Sequence, residues 1–339
     1  MHRSELTIDL GAVRRNVRTL LRALDGADVW AVGKANGYGH GAVDVSAAAL
    51  GAGASALCVA TVDEGLELRH EFPTAKIVVL GPAEGRDVAH ARAAGLELCV
   101  SSEELPNGVR VHVKLDTGMG RYGLSELLEP SPDVVGLMTH LATADSDRTF
   151  ALEQVERFRT ATEAHAHLTR HVANSAAALR LPEAAFDAAR CGIAIYGLSP
   201  FGEDPAEDGL EPALQWHSHV AQSKLLETGE STGYGRRFVA EGPTWIGIVP
   251  VGYADGFRRD LTGTEVRVAG EPRRVVGTVS MDSFAVELDR EVPVGTPVVL
   301  VGHGVSLEAH ARIAGTITYE LASRIEMRSD RARRTVVDS

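Results

Sequence analysis

Short apolar runs separated by alanine-rich, helix-like stretches set the rhythm of the first two-thirds of this chain. The runs span residues 29–32, 57–60, 77–80, 96–100, 109–115, 134–140, 168–173 and 186–190. Their lengths suit buried strands, and the stretches between them suit helices. Strands alternating with helices build a parallel sheet, and eight such units fit a closed (β/α)8 barrel. An open, doubly wound sheet is the competing architecture. The polar residues decide for the barrel, because they gather where runs end. Lys34 follows the first run, Arg121 the fifth, His140 closes the sixth, Asn174 and Ser175 follow the seventh, and Arg190 closes the eighth. The C-terminal strand ends are the catalytic face of a barrel. Ahead of the runs, residues 4–10 read as a short strand, and Asp9 can cap an amphipathic helix over 12–24.

From about Leu210 the pattern changes to alternating apolar and polar residues, over 216–226, 244–251, 265–268, 274–279, 284–288 and 298–301. Turns such as Ala269-Gly270 and Val294-Gly295 separate some of these runs, so a second, mostly β domain is expected. The Pro-, Gly- and acid-rich stretch 199–212 reads as a linker, giving a barrel over 1–211 and a mostly β domain over 212–339. Residues 307–313 and 319–324 look helical, and 330–334 read as a solvated charged tail.

A net charge of −12 argues against nucleic acid, which calls for a basic surface. Three cysteines without a CxxC spacing fit reduced thiols in a cytoplasmic protein. No apolar h-region follows the first residues and no run approaches a membrane span, so neither secretion nor a membrane is expected. His165 with His167, and His217 with His219, have same-face strand spacing but no acidic or cysteine third ligand, so no metal site is expected.

The stretch Trp30-Ala31-Val32-Gly33-Lys34-Ala35-Asn36-Gly37-Tyr38-Gly39-His40-Gly41 carries the most chemistry. A lysine where a buried strand meets a Gly-rich loop sits in low dielectric, and a lowered pKa frees its amine to form a Schiff base. The plain alternative is a surface lysine in a turn. Asn174-Ser175 and Cys191-Gly192-Ile193 follow runs seven and eight, where barrels bind phosphate through backbone amides and small hydroxyls. Each is otherwise an ordinary turn, and Arg190 is otherwise a rim salt bridge.

The motifs at 34–41 (KANGYGHG), 116–121 (DTGMGR), 139–145 (THLATAD), 173–177 (ANSAA), 233–235 (GYG), 252–256 (GYADG) and 280–282 (SMD) resemble those of the alanine racemases, in family order. The resemblance implies pyridoxal 5′-phosphate on Lys34, its phosphate held by Tyr38, Ser175, the amides of Gly192 and Ile193, and Tyr319, with Asn174 beside them. It places Arg190 at the pyridine nitrogen, His140 against the ring, and Arg121 with the Met281 backbone on the substrate carboxylate. It makes Tyr234 the second acid/base, donated with Tyr253, Met281 and Asp282 by the partner subunit of a homodimer. Cell-wall D-alanine supply is the implied role. Racemisation needs a base on each face of the substrate, and Lys34 and Tyr234 meet that need, with His140 backed by Arg190 as the cation source easing the tyrosine's deprotonation. Two rivals share the barrel. A same-fold decarboxylase of basic amino acids would want an acid where Arg190 stands, and a non-catalytic cofactor-binding protein would lack the β domain and Tyr234.

Cys191 stands where the family usually has proline and Leu141 where it usually has phenylalanine. The intervals 101–109 and 124–134 are shorter than usual, so trimmed helices are expected there. In 111–116 the valines alternate with polar residues, which puts His112 and Lys114 on one face. An ammonium pointing into the barrel near Arg121 would shed its proton, and the neutral amine is the form that reacts with carbon dioxide. Some alanine racemases carry a carbamylated lysine at the matching position, which implies a carbamate on Lys114 that orients Arg121. The alternative is a plain lysine paired with a nearby carboxylate.

Overall fold

A computed structural model describes residues 2–127 and 130–339. Contacts divide the chain into two units, one carrying Val13–Phe201 and the other Pro212–Ser339 with the N-terminal strand.

The strand β1 (Glu5–Asp9) runs into the helix α1 (Leu10–Leu24), whose first amides, at Gly11 and Ala12, donate to Asp9 Oδ1. α1 buries Val13, Val17, Leu20 and Leu24, each such side chain contributing roughly 1.5–3 kcal/mol. The barrel follows: β2 (Asp28–Val32), β3 (Ala56–Val59), β4 (Ile77–Val79), β5 (Glu97–Val100), β6 (Val111–Lys114), β7 (Val134–Met138), β8 (Thr169–His171) and β9 (Ala188–Cys191). All neighbours are parallel, and β9 pairs back onto β2, which closes the ring. Each of the eight apolar runs thus supplies one strand, often trimmed at its ends where the chain turns to carry loop residues. Helices Ala42–Gly51, Val62–Glu71, Arg86–Ala93, Arg148–Thr162 and Ser175–Arg180 fill most of the connections. Among the described residues none lies between β5 and β6 or between β6 and β7, where the intervals are short. Residues 128 and 129 of the second interval lie outside the described residues.

The second unit is built on a nine-stranded sheet. Here the structure departs from the sequence reading in three places. β1 does not accompany the barrel that follows it; it pairs antiparallel with Leu214–His219 and in parallel with Arg333–Val337. Its alternating burial, with Leu6 and Ile8 fully covered, suits a one-faced sheet rather than a doubly buried barrel strand. Residues 330–334 are consequently not a free tail. Arg331 bonds Asp255 and Asp282, Ala332 is buried, and the segment leads into the strand Arg333–Val337. The run 216–226 is two strands, Leu214–His219 and Gln222–Leu226, because the chain changes partners between them: Val220 N donates to Thr296 O and Ala221 N to Ile248 O. No helix among the described residues is long and apolar enough to cross a membrane.

Candidate active site

The segment Lys34–Gly39, expected as a loop, is a left-handed turn. Ala35, Asn36, Gly37 and Tyr38 all have φ between 50° and 63° and ψ between 39° and 50°. For residues with a Cβ this costs roughly 1–2 kcal/mol each, so the surroundings must hold it. Gly37 N donates to Gly33 O at 2.8 Å, and Ala42 N to Asn36 Oδ1 at 2.9 Å. Glu64, three residues past Thr61 in a capping box, also takes the Ala35 amide at 2.8 Å. Glu64 escaped the sequence reading; its signal was the Thr-x-x-Glu pattern opening a helix, which marks a cap and not a site. Strain of this kind concentrates where a side chain must be aimed. Lys34 stands at the head of the turn, half-buried, and burial first, then the Arg121 charge, lower its pKa.

Beside it the turns after β8 and β9 converge. Ser175 Oγ accepts from Gly192 N at 3.0 Å and Ala194 N at 3.3 Å. A Cβ on Gly192 would lie 2.5 Å from Tyr38 Oη, so glycine is required for this approach. Burial pushes the Tyr38 pKa up, which keeps the phenol a neutral donor. Tyr38, Ser175 and the backbone from Gly192 to Ile193 therefore form a cluster of neutral donors suited to an anion. Asn174 caps the helix Ser175–Arg180 through Ala177 N at 3.0 Å, a structural task at the edge of that cluster.

Arg190 is buried in β9. Its Nη1 reaches His171 Nδ1 (2.9 Å) and His171 O (2.6 Å); its Nη2 reaches Thr139 O (2.8 Å), Val172 O (3.2 Å) and His140 Nδ1 (3.2 Å). Nε–H has no acceptor among the described residues. The His140 pKa falls to about 3 through burial, then the Arg190 charge. His140 is therefore neutral, which corrects its assignment as a cation source: the positive charge here is that of Arg190.

Arg121 ends a turn folded by Asp116, whose Oδ1 accepts the amides of Gly118, Met119 and Gly120 at 2.9, 2.8 and 3.1 Å. Gln154, fully buried and not foreseen, joins this loop to the next: its Nε2 reaches Thr117 Oγ1 and His140 O, and its Oε1 accepts from Ala142 N at 2.8 Å. Lys114 is buried, with its Nζ 5.6 Å from the centroid of the Tyr122 ring. Among the described residues no carboxylate lies in ion-pair reach of it. Burial, then Arg121, lower its pKa.

The remaining named residues lie in the second unit. Tyr234, Tyr253 and Met281 are 72%, 44% and 52% exposed. One segment gathers them: Thr278 Oγ1 donates to Tyr234 O at 2.8 Å, Tyr253 N to Ser280 O at 3.1 Å, and Ala254 N to Met281 O at 3.1 Å. Asp282 is fixed by Arg331 at 2.8 Å. Tyr319 lies in the helix Thr318–Ser323. Of the histidine pairs, His165 and His167 lie around a short 3-10 turn rather than on a strand, while His217 stacks on His303. No group of three potential metal ligands occurs among the described residues.

Four histidines, three of them buried and His140 half-buried, carry a pH consequence. His112, His140, His171 and His310 all have lowered pKa values in the folded chain, each by burial first. Unfolded histidine takes up a proton near pH 6.5. Below that pH the unfolded state binds more protons, so stability falls as pH drops. The urea midpoint is expected to be lower at pH 5.5 than at pH 7.5; equal midpoints would refute neutral burial of these rings.

Two family models match the chain in order, the alanine racemase N-terminal domain over residues 8–200 and its C-terminal domain over 213–333. Alanine racemase 1 of Bacillus subtilis is 40% identical, the match covering 96% of this chain and 91% of the relative. The alanine racemase of Geobacillus kaustophilus is 39% identical over 96% and 92%. The crystal structure of alanine racemase from E. faecalis superposes with a TM-score of 0.90 at 36% identity, covering 99% of this chain and 98% of that one. The alanine racemase of Streptomyces coelicolor A3(2) gives the same score, identity and coverage. With both family models matched in order and relatives aligned over nearly the whole chain, this chain belongs to the alanine racemase family.

Proposed function

We propose that this protein is a pyridoxal 5′-phosphate-dependent enzyme that interconverts L- and D-alanine, working as a homodimer. The observation that carries the reading is the pairing at one barrel mouth of an amine with a depressed pKa, Lys34, and a buried arginine whose Nε–H lacks an acceptor, Arg190. That free N–H suits a pyridine nitrogen, and the Tyr38–Ser175–Gly192 cluster suits a phosphate. The residues fit the cofactor: Lys34 for the covalent link, Tyr38, Ser175, the Gly192 and Ile193 amides and Tyr319 for the phosphate, His140 along the ring, Arg190 at the nitrogen. When bound, the cofactor supplies an electron sink that acidifies the α-proton of the amino acid.

Lys34, freed once the substrate takes its place, removes or returns the α-proton on one face. The Tyr234 phenol, supplied by the partner subunit, serves the other face. Arg121 and the Met281 backbone hold the carboxylate, and Tyr253 and Asp282 shape that side. Arg190 is always protonated and only donates, so it would face the pyridine nitrogen with an N–H and would not call for a proton there. By withholding that proton, Arg190 would weaken the electron sink and so limit loss of the carboxylate and amino-group transfer. The test is chiral chromatography of the reconstituted enzyme offered L-alanine, L-serine and L-lysine separately. D-alanine should form fastest; carbon dioxide and an amine from lysine would instead mark a decarboxylase.

Lys114 belongs to the same reading as a carbamate. The neutral amine nitrogen bonds to the carbon of CO2, and an N–H proton leaves to water, so a cation is replaced by an anion able to hold Arg121. Protein under ¹³CO2 should show a carbamate carbon resonance that Lys114→Arg removes. Lys114→Ala should lose activity that acetate partly restores. Absence of the resonance at saturating CO2 would contradict the assignment.

A further inference from the structure

A chain of hydrogen bonds crosses the inside of the barrel from its N-terminal end to its mouth. Glu97 opens β5, and its side chain is 3% exposed. Its Oε1 forms an ion pair with Arg110 at 2.8 Å, and its Oε2 lies 2.8 Å from His112 Nε2. His112 Nδ1 lies 2.9 Å from His171 Nε2, and His171 Nδ1 lies 2.9 Å from Arg190 Nη1. Trp30 packs edge-on against His112 and tilted against His171. Among the described residues, the other charged or titratable groups around the chain include His140, whose Nδ1 lies 3.2 Å from Arg190 Nη2, Lys76, whose Nζ lies 5.2 Å from the Trp30 ring centroid, and the buried thiols of Cys58, Cys99 and Cys191.

The donors and acceptors along this chain admit one arrangement. A carboxylate only accepts, so His112 Nε2 must carry a proton. A guanidinium only donates, so His171 Nδ1 must be bare. The one link between the rings is then satisfied with a single proton on each: His171 Nε2–H donates to a bare His112 Nδ1. An extra proton on either ring would turn two donors on each other, in the inter-ring link or at Arg190. Both ends impose the same order independently. Burial favours it too, holding both imidazoles below their ordinary pKa and, against the burial of Glu97 itself, the bond from His112 and the charge of Arg110 keep the carboxylate ionised.

We infer that Glu97 is a positioning residue: with Arg190 at the opposite end, it locks His112 and His171 as neutral, Nε2-protonated rings and thereby fixes the Arg190 guanidinium with Nε–H toward the cofactor site. Its catalytic consequence rests on the proposed role of Arg190, whereas the ring states do not. Sequence reading passed over Glu97 because one acid inside an apolar run looks like an interruption.

The test is a long-range ¹H–¹⁵N spectrum of histidine rings in the holoenzyme, with His112 and His171 assigned by single substitution. Both rings should show a protonated Nε2 and a bare Nδ1, unchanged between pH 6 and 9. An imidazolium or an Nδ1–H tautomer at either ring overturns the inference. Glu97→Gln, which keeps an acceptor for His112, should retain both signals. Glu97→Leu should broaden or split them, shift the visible band of the bound cofactor, and lower kcat roughly tenfold, the size typical for partners that orient a histidine, with KM for alanine within about twofold. If Glu97→Leu moves stability alone and leaves the His171 ring and the cofactor band as in the parent, Glu97 is merely structural. Should Glu97→Leu fail to fold, the parent spectrum and Glu97→Gln still decide. Intact ring states without alanine racemisation would refute the functional reading and leave the chain of bonds standing.

Discussion

Lys34→Ala is expected to lower kcat/KM for alanine by more than about 10⁴-fold. On the proposed assignment the variant would lose the covalent anchor for the cofactor and one of two acid–base groups, and an acid–base group alone is worth roughly 10²–10⁴. The fold should survive, because Lys34 is only half-buried and the turn it heads is held by Asn36, Glu64 and the Gly33 carbonyl. Borohydride reduction of the parent followed by digestion should place the cofactor on the peptide containing Lys34. The other lysines stand in different settings: Lys76 over Trp30, Lys114 over Tyr122, Lys224 exposed on a strand of the second unit. A label on any of these would remove Lys34 from its role.

Tyr234→Phe is expected to be asymmetric. If Lys34 and Tyr234 serve opposite faces, proton abstraction from one enantiomer should slow by roughly 10²–10⁴-fold while abstraction from the other changes far less. Exchange of the α-proton with deuterated solvent, followed separately from L- and D-alanine, reads the two directions. Equal losses would make the phenol structural. The exposure of Tyr234, Tyr253 and Met281 on one knitted segment suits donation to a second copy of the chain. Mixed Lys34→Ala and Tyr234→Phe proteins should therefore regain activity in heterodimers, and proven subunit exchange without recovery would mean that each site is built within one chain.

The parts of this molecule legible in sequence are those where a short stretch carries its own reason. Eight apolar runs gave eight barrel strands because burial on both faces demands continuous apolar residues. Lys34, Tyr38 and Gly192 announced themselves through glycines that permit close approach. What stayed hidden depends on distant partners. Glu97 makes sense only with His112 fifteen residues later and Arg110 beside it. Gln154 looked like one polar residue on a helix, and its task of tying the Arg121 loop to His140 is tertiary. The left-handed turn after Lys34 includes Ala35 and Tyr38, residues with no preference for positive φ, so no local rule foretold it. β1 alternated correctly as a strand, but which sheet it joined was decided by Leu214–His219 and Arg333–Val337.

The measurement that bears most directly on the central claim is the isotopic fate of the α-proton during racemisation of L-alanine in D2O at low conversion. Two separate groups on opposite faces predict that the D-alanine formed carries deuterium at Cα from its first appearance, while the unconverted L-alanine keeps its protium. D-alanine carrying the substrate's own proton would require one group to serve both faces and would contradict the roles assigned to Lys34 and Tyr234.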